Sequence, residues 1–132
     1  MALSFNTTLR NNMLSQITTA IGSAGKLRIY DGAKPASGGA ATNLLAEIAL
    51  ANPAAGSPSG GILTFTVPQS DNSADATGTA TWARIVDGTN AWIVDMTVTS
   101  TGGGGDLQLV TSSIVATQKV EITAFTITAG NV

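Results

Sequence analysis

The segment Asp71-Asn72-Ser73-Ala74-Asp75 sets side-chain oxygens two and four residues apart, the spacing at which a calcium loop presents ligands. It lacks the central glycine and the closing glutamate of an EF-hand, and Asp, Asn and Ser build ordinary turns through side-chain to backbone bonds. We therefore read it as a turn. Gly22-Ser23-Ala24-Gly25-Lys26 has the composition of a phosphate loop. Its spacing is too short, no strand precedes it, and Leu27 stands where a Ser or Thr would hold magnesium. Asp95 and Glu121 are the carboxylates to weigh as a glycosidase pair. Acids on outward strand faces are ordinarily just solvated. Lys26, Lys34 or Lys119 would serve a Ser-Lys dyad, but nothing in the spacing sets a serine beside any of them. Trp82, Trp92 and Tyr30 are the rings on which a sugar could stack.

Composition removes most other chemistry. The chain has no histidine and no cysteine. The usual general acid/base at neutral pH is absent, as are the thiol nucleophile and the Ser-His-Asp triad. The commonest soft and borderline metal ligands are missing too. The expectation is a non-enzyme with no catalytic residue, no cofactor and no metal site, a protein that works by its surfaces.

Charge points the same way. Six Lys and Arg oppose eight Asp and Glu, for a net charge of -2. No basic patch is visible, so nucleic acid is not an expected partner. Charged residues make up 11% of the chain, far below the ~25% of an average domain. A monomer uses charge to stay soluble, and interface cores are poor in it. An oligomer or a larger assembly follows as the expectation. Met1-Ala2-Leu3-Ser4-Phe5-Asn6 has neither a basic start nor an apolar run, so no secretory signal is expected. No stretch approaches the ~18 apolar residues of a membrane span, and no membrane partner is expected. Lack of cysteine fits synthesis in a cytoplasm.

The elements follow from hydrophobic spacing. Leu9, Met13, Ile17 and Ile21 recur every four residues, with Leu14 and Ala20 beside the stripe. Asn6, Thr7 and Thr8 offer N-cap oxygens, and Gly22 or Gly25 a C-cap. This predicts one helix over about residues 7–22, closing the end of a sheet. From about residue 26 the period becomes two. Strands are predicted at 26–31, 43–50, 62–67, 77–86, 91–99, 107–111 and 119–128, with a short helix as the competitor at 43–50 and Pro68 stopping the third strand. Residues 69–76 read as polar loop and 100–105 as a flexible tip. The prediction is a single β-sandwich domain over residues 1–132, Greek-key or jelly-roll-like, with about seven strands and one short N-terminal helix.

Two places leave the register open. Trp92, Val94, Met96 and Val98 alternate as one buried face. A two-residue Asp87-Gly88 turn would then point Ala83 and Ile85 inward and Trp82 outward beside Ile93. A three-residue loop with a bulge would bury Trp82 and set Arg84 opposite Trp92. An outward Trp82 suits an interface, and an inward one suits a second small core under the long loops. In the last strand Val120 and Ile122 share one face, while Phe125 and Ile127 fall on the other. A bulge near Thr123-Ala124 would merge them, or both faces are covered by a neighbouring subunit. The candidate oligomer or capsid contacts are therefore Trp82, Ile93, Phe125 and Ile127.

Two stretches add a resemblance. They are Met13-Leu14-Ser15-Gln16-Ile17-Thr18-Thr19-Ala20-Ile21-Gly22, running on through Gly25-Lys26-Leu27-Arg28-Ile29-Tyr30-Asp31-Gly32 to Lys34-Pro35, and Ser73-Ala74-Asp75-Ala76-Thr77-Gly78-Thr79-Ala80-Thr81-Trp82-Ala83-Arg84-Ile85. Together they resemble small virion structural proteins of tailed bacteriophages, of the capsid decoration or cement class. The resemblance implies a homotrimer on the capsid surface that clamps subunits of the major capsid protein after synthesis in the host cytoplasm. It carries over no functional residue. The alternative is a tail or baseplate component that touches glycans.

Overall fold

A computed structural model describes residues 4–67 and 69–129. They form helix α1 (Thr7–Ile21) and ten strands. The strands are β1 (Lys26–Tyr30), β2 (Leu44–Ala49), β3 (Ile62–Thr64), β4 (Gln69–Asp71), β5 (Gly78–Thr79), β6 (Trp82–Val86), β7 (Trp92–Ser100), β8 (Leu107–Leu109), β9 (Ser113–Ile114) and β10 (Val120–Thr128). Eight belong to one mixed sheet in the order β2-β1-β6-β7-β8-β10-β3, with β4 also on β10; β5 and β9 form a separate ribbon. The sheet curls so that its halves face each other across one core, a mainly β, sandwich-like fold. Its two ends meet where the Glu47 N–H donates to Asp71 Oδ2 (3.1 Å) and the Ala51 N–H to Gln69 Oε1 (2.9 Å). Side chains of β4 thereby satisfy the edge of β2.

Local chemistry explains the helix. Asn6 caps it, accepting the Leu9 N–H at 2.8 Å, and Gly22 ends it at φ 68°. Leu14 and Ile21 are buried with Ile17 packed beside them, while Leu9 and Met13 are exposed. The every-four stripe was too generous. Each step of four gains about 40° on the helix, so Leu9 lies about 120° from Ile21. Arg10 Nε bonds the Ala129 carbonyl (2.7 Å) and Asn11 accepts the Gly61 N–H (2.9 Å). At its other end Ile21 packs on Gly25, where an added Cβ would lie 2.2 Å from Ile21 Cγ2. The helix thus crosses the end of the sheet where β1 and β3 begin and β10 finishes.

Three departures from the expected pattern lie in the half of the sheet around β8 and β10. First, residues 69–71 pair with β10 although their pattern is polar, so β3 and β4 make one interrupted strand along it. Pro68, expected to stop β3, lies outside the described residues. Second, a bulge between Ile122 and Ala124 puts Phe125 on the same inward face as Val120 and Ile122. Phe125 stacks on Phe65 with centroids 3.9 Å apart. Third, residues 100–105 are not a free tip. β7 and β8 run parallel although only residues 101–106 join them, where such a connection ordinarily needs about a dozen. The chain doubles back along β7 instead. Added Cβ atoms at Gly103 and Gly105 would meet Thr99 at 2.7 and 3.0 Å, so the glycine run is what lets two backbones pass.

Candidate functional site

The hairpin β6–β7 decides which tryptophan faces out. Asp87 N–H bonds the Ala91 carbonyl (3.1 Å), Asn90 N–H bonds the Asp87 carbonyl (3.0 Å), and Asn90 takes φ 66°. This is a three-residue loop closed by a left-handed residue. The Asp87 carboxylate stabilises it, accepting from the Thr89 and Ala91 N–H groups and the Thr89 hydroxyl. The Thr89 hydroxyl and then the two backbone donors hold the Asp87 pKa below the ordinary carboxylate range. The ladder pairs Trp82 with Thr97, Arg84 with Asp95 and Val86 with Trp92, with a shift between Ile85 and Val86. Neither register expected from the sequence is present. The loop has the longer form, but Arg84 faces Asp95 rather than Trp92.

Two candidate contact residues are thereby corrected. Trp82 is 0% exposed, so it has no surface to offer a partner. It stacks on Tyr30 at 4.4 Å, and its indole N–H donates to the Asp31 carbonyl and to Thr42 Oγ1, both at 3.0 Å. It fills a second small core, with Tyr30, on the outer face of the sheet. Phe125 is likewise interior at 2%, turned inward by the bulge. Ile93 and Ile127 are partly buried against the main core. Trp92, expected inside, is 48% exposed because the extra residue in its strand moves it to the outer face.

Four of the reactive side chains, Asp71, Asp95, Lys119 and Glu121, are occupied elsewhere. Asp71 accepts the Ser73 N–H with one oxygen (2.9 Å) and the Glu47 N–H with the other. Among the described residues no group of three or more acids could hold a metal ion. Gly22 to Gly25 make the turn after the helix C-cap, and Lys26 opens β1. Asp95 and Glu121 do not face one another across a cleft. Asp95 takes Arg84 in a two-pronged bond (2.7 and 2.9 Å), and Glu121 takes Lys119 at 2.7 Å. The Asp95 hydrogen bond, opposed by partial burial, raises the Arg84 pKa.

One row across four strands reads Glu47, Arg28, Arg84, Asp95, each residue opposite the next. The two like charges at its centre would repel. The acids at each end compensate, with Arg28 Nε 2.7 Å from Glu47 Oε2. With Lys119 included, three of the six basic residues sit in ion pairs, so the effective surface charge is lower than composition suggests.

Farther along the same sheet lies a face poor in charge, bordered by Asp106 opposite Thr126. Thr126 and Thr128 of β10 pair with Thr64 and Ile62 of β3, and all four are exposed. Thr123, also exposed, bonds Thr101 beside them. This threonine face is the candidate interaction surface. Its signal was in the sequence, since Thr64 and Thr66, and Thr126 and Thr128, alternate with core residues. Charge depletion was noted in the chain as a whole and not traced to one face. Two smaller features accompany it. Exposed Leu9 and Met13 mark the helix end, and Val110 and Val115 border a groove of about 190 Å³ beside Lys119 and Glu121.

Comparison with known proteins yields no matching family model, no matching curated protein and no matching solved structure.

Proposed function

We propose that the chain is a non-enzymatic structural protein of a phage virion that binds the outside of the capsid, as a homotrimer, and stabilises contacts between major capsid subunits. The observation that carries this reading is the threonine face of β3 and β10. Burying hydroxyls and methyls costs far less than burying charges, and interface cores are poor in charge. A partner that binds only the assembled shell stabilises it by mass action. The resemblance supplies the kind of partner and the threefold state. Its two stretches pair with each other in the fold, since β1 and β6 are in register from Lys26 with Val86 to Tyr30 with Trp82.

The test is to mix the purified chain with phage shells that lack it and to image the particles. Density on the capsid lattice and a trimer in sedimentation are expected. Thr126→Lys and Thr64→Asp, both at exposed positions, should keep the fold and abolish shell binding. A clean monomer that adds no mass to shells overturns the proposal. A second reading, a tail or baseplate component that touches glycans, is favoured by one observation, the exposed ring of Trp92. Density on the tail and binding in a glycan screen would select it.

A further inference from the structure

Residues 31–43 leave the sheet after Tyr30 and rejoin it at Leu44. The two ends are tied together. Asp31 N–H bonds the Asn43 carbonyl at 3.3 Å, Thr42 Oγ1 donates to the Asp31 carbonyl, and Asn43 donates to both Asp31 carboxylate oxygens. This is an Ω-loop, a compact surface loop with adjacent ends. It lies along the outer face of β1, β6 and β7 like a strap. No residue from 32 to 43 is buried, so the strap contributes no apolar anchor of its own. Yet Tyr30 and Trp82 beside its base are almost fully buried. At the base, Trp82 donates to Asp31 and Thr42, and the Thr81 hydroxyl donates to the Gly32 carbonyl. At the tip two contacts hold it. Arg84 Nη2 donates to the Gly39 carbonyl at 2.9 Å, and Trp92 lies against Gly38.

We propose that residues 31–43 are a latch that opens as a unit while the curled sheet stays folded, with Arg84 on Gly39 and Trp92 on Gly38 as its catch. Segments with few buried apolar contacts open at far lower free energy than the core. The strap is held by polar bonds and one ring contact, whereas the strands beneath it are held by the main core. Because the strap's ends are already bonded to each other, opening it breaks no strand pairing. Open, it uncovers the stacked Tyr30–Trp82 pair, an aromatic surface that the closed molecule hides. The catch needs glycine. Gly38 has φ +75°, and a Cβ there would lie 2.7 Å from the Trp92 ring. This inference does not depend on the capsid reading.

The Trp82 indole proton is the reporter, because its acceptors are both on the strap. Hydrogen exchange followed by NMR compares it, in the unmodified protein, with the Phe65 amide, which bonds the Phe125 carbonyl inside the main core. Each is referred to its own unprotected rate. Trp82 should be at least about tenfold less protected than Phe65, with a weaker dependence on urea. Gly38→Ala should reduce Trp82 protection at least another threefold or so and leave Phe65 unchanged. Equal protection and equal urea dependence at the two sites would mean that the strap opens only when the whole protein unfolds, which overturns the latch. So would a Gly38→Ala variant that changes both sites alike or neither. If that variant fails to fold, the comparison in the unmodified protein decides.

Discussion

The molecule has two cores of different construction. The inner one is aliphatic, with Phe65 stacked on Phe125 and helix α1 across its end. The outer one is small and aromatic. Tyr30 and Trp82 stack there, Arg84 lies 5.2 Å over the Trp82 ring, and a loop without a buried residue runs alongside. The inner core is held by burial and is insensitive to direction. The outer core depends on oriented bonds, from the Trp82 indole to the strap and from Arg84 to Asp95 and Gly39. Packing of the first kind survives wherever the right volume is supplied, whereas the second fails when one partner is lost.

Substitutions measure that difference. Phe125→Ala should have the largest effect, destabilising by about 4–5 kcal/mol in urea unfolding, because it removes a fully buried ring and leaves its stacking partner over a void. Trp82→Ala should follow at about 3 kcal/mol, since the strap can settle part of the way into the space. Equal losses at the two sites would erase the distinction between a closed core and a yielding one. Asp95→Asn should cost about 2 kcal/mol by weakening a charge-assisted pair. Trp92→Ala should cost about 1 kcal/mol or less in the same assay, because half of its ring is already in water. A loss near that of Trp82→Ala would show that the strap and the hairpin hold each other more firmly than their exposure implies.

The smallest effect concerns acidity. The folded pKa of Asp87 lies below its unfolded value. Its contribution is therefore complete above the ordinary carboxylate range and is lost as pH falls through the folded value. Melting temperature should decline with acid on that account, and Asp87→Asn should remove that part of the slope. With no histidine, little should titrate between about pH 5.5 and 7, and the melting temperature should be flat there.

Much of the inner core was legible from the residues. Leu27 and Ile29, and Leu63 and Phe65, point inward as their alternation requires, because a strand has only two faces. The bulge in β10 was one of two readings that the phase slip between Ile122 and Phe125 left open, and the structure takes it. The strand at Gln69–Asp71 was not, because it is held by backbone pairing and its side chains serve the edge of β2. As for the candidate surface, the shortage of charge was plain, but its concentration on one face depends on which strands become neighbours.

What the sequence determined by itself was local: the capped helix, the period-two strands, the absence of histidine and cysteine, and the low charge. Each depends on residue types and on spacings of a few positions. Tertiary structure decided the rest. Whether Trp82 or Trp92 faces water turns on one extra residue in β7 opposite β6, which reverses a side chain without altering the alternation around it. Whether Trp82 then has a partner depends on a strap about forty residues upstream, whose Thr42 supplies the second acceptor for its indole. The same holds for the row from Glu47 to Asp95, four residues from four strands. A sequence pattern reports which side a residue takes relative to its chain neighbours. It does not report which strand, loop or subunit waits on that side.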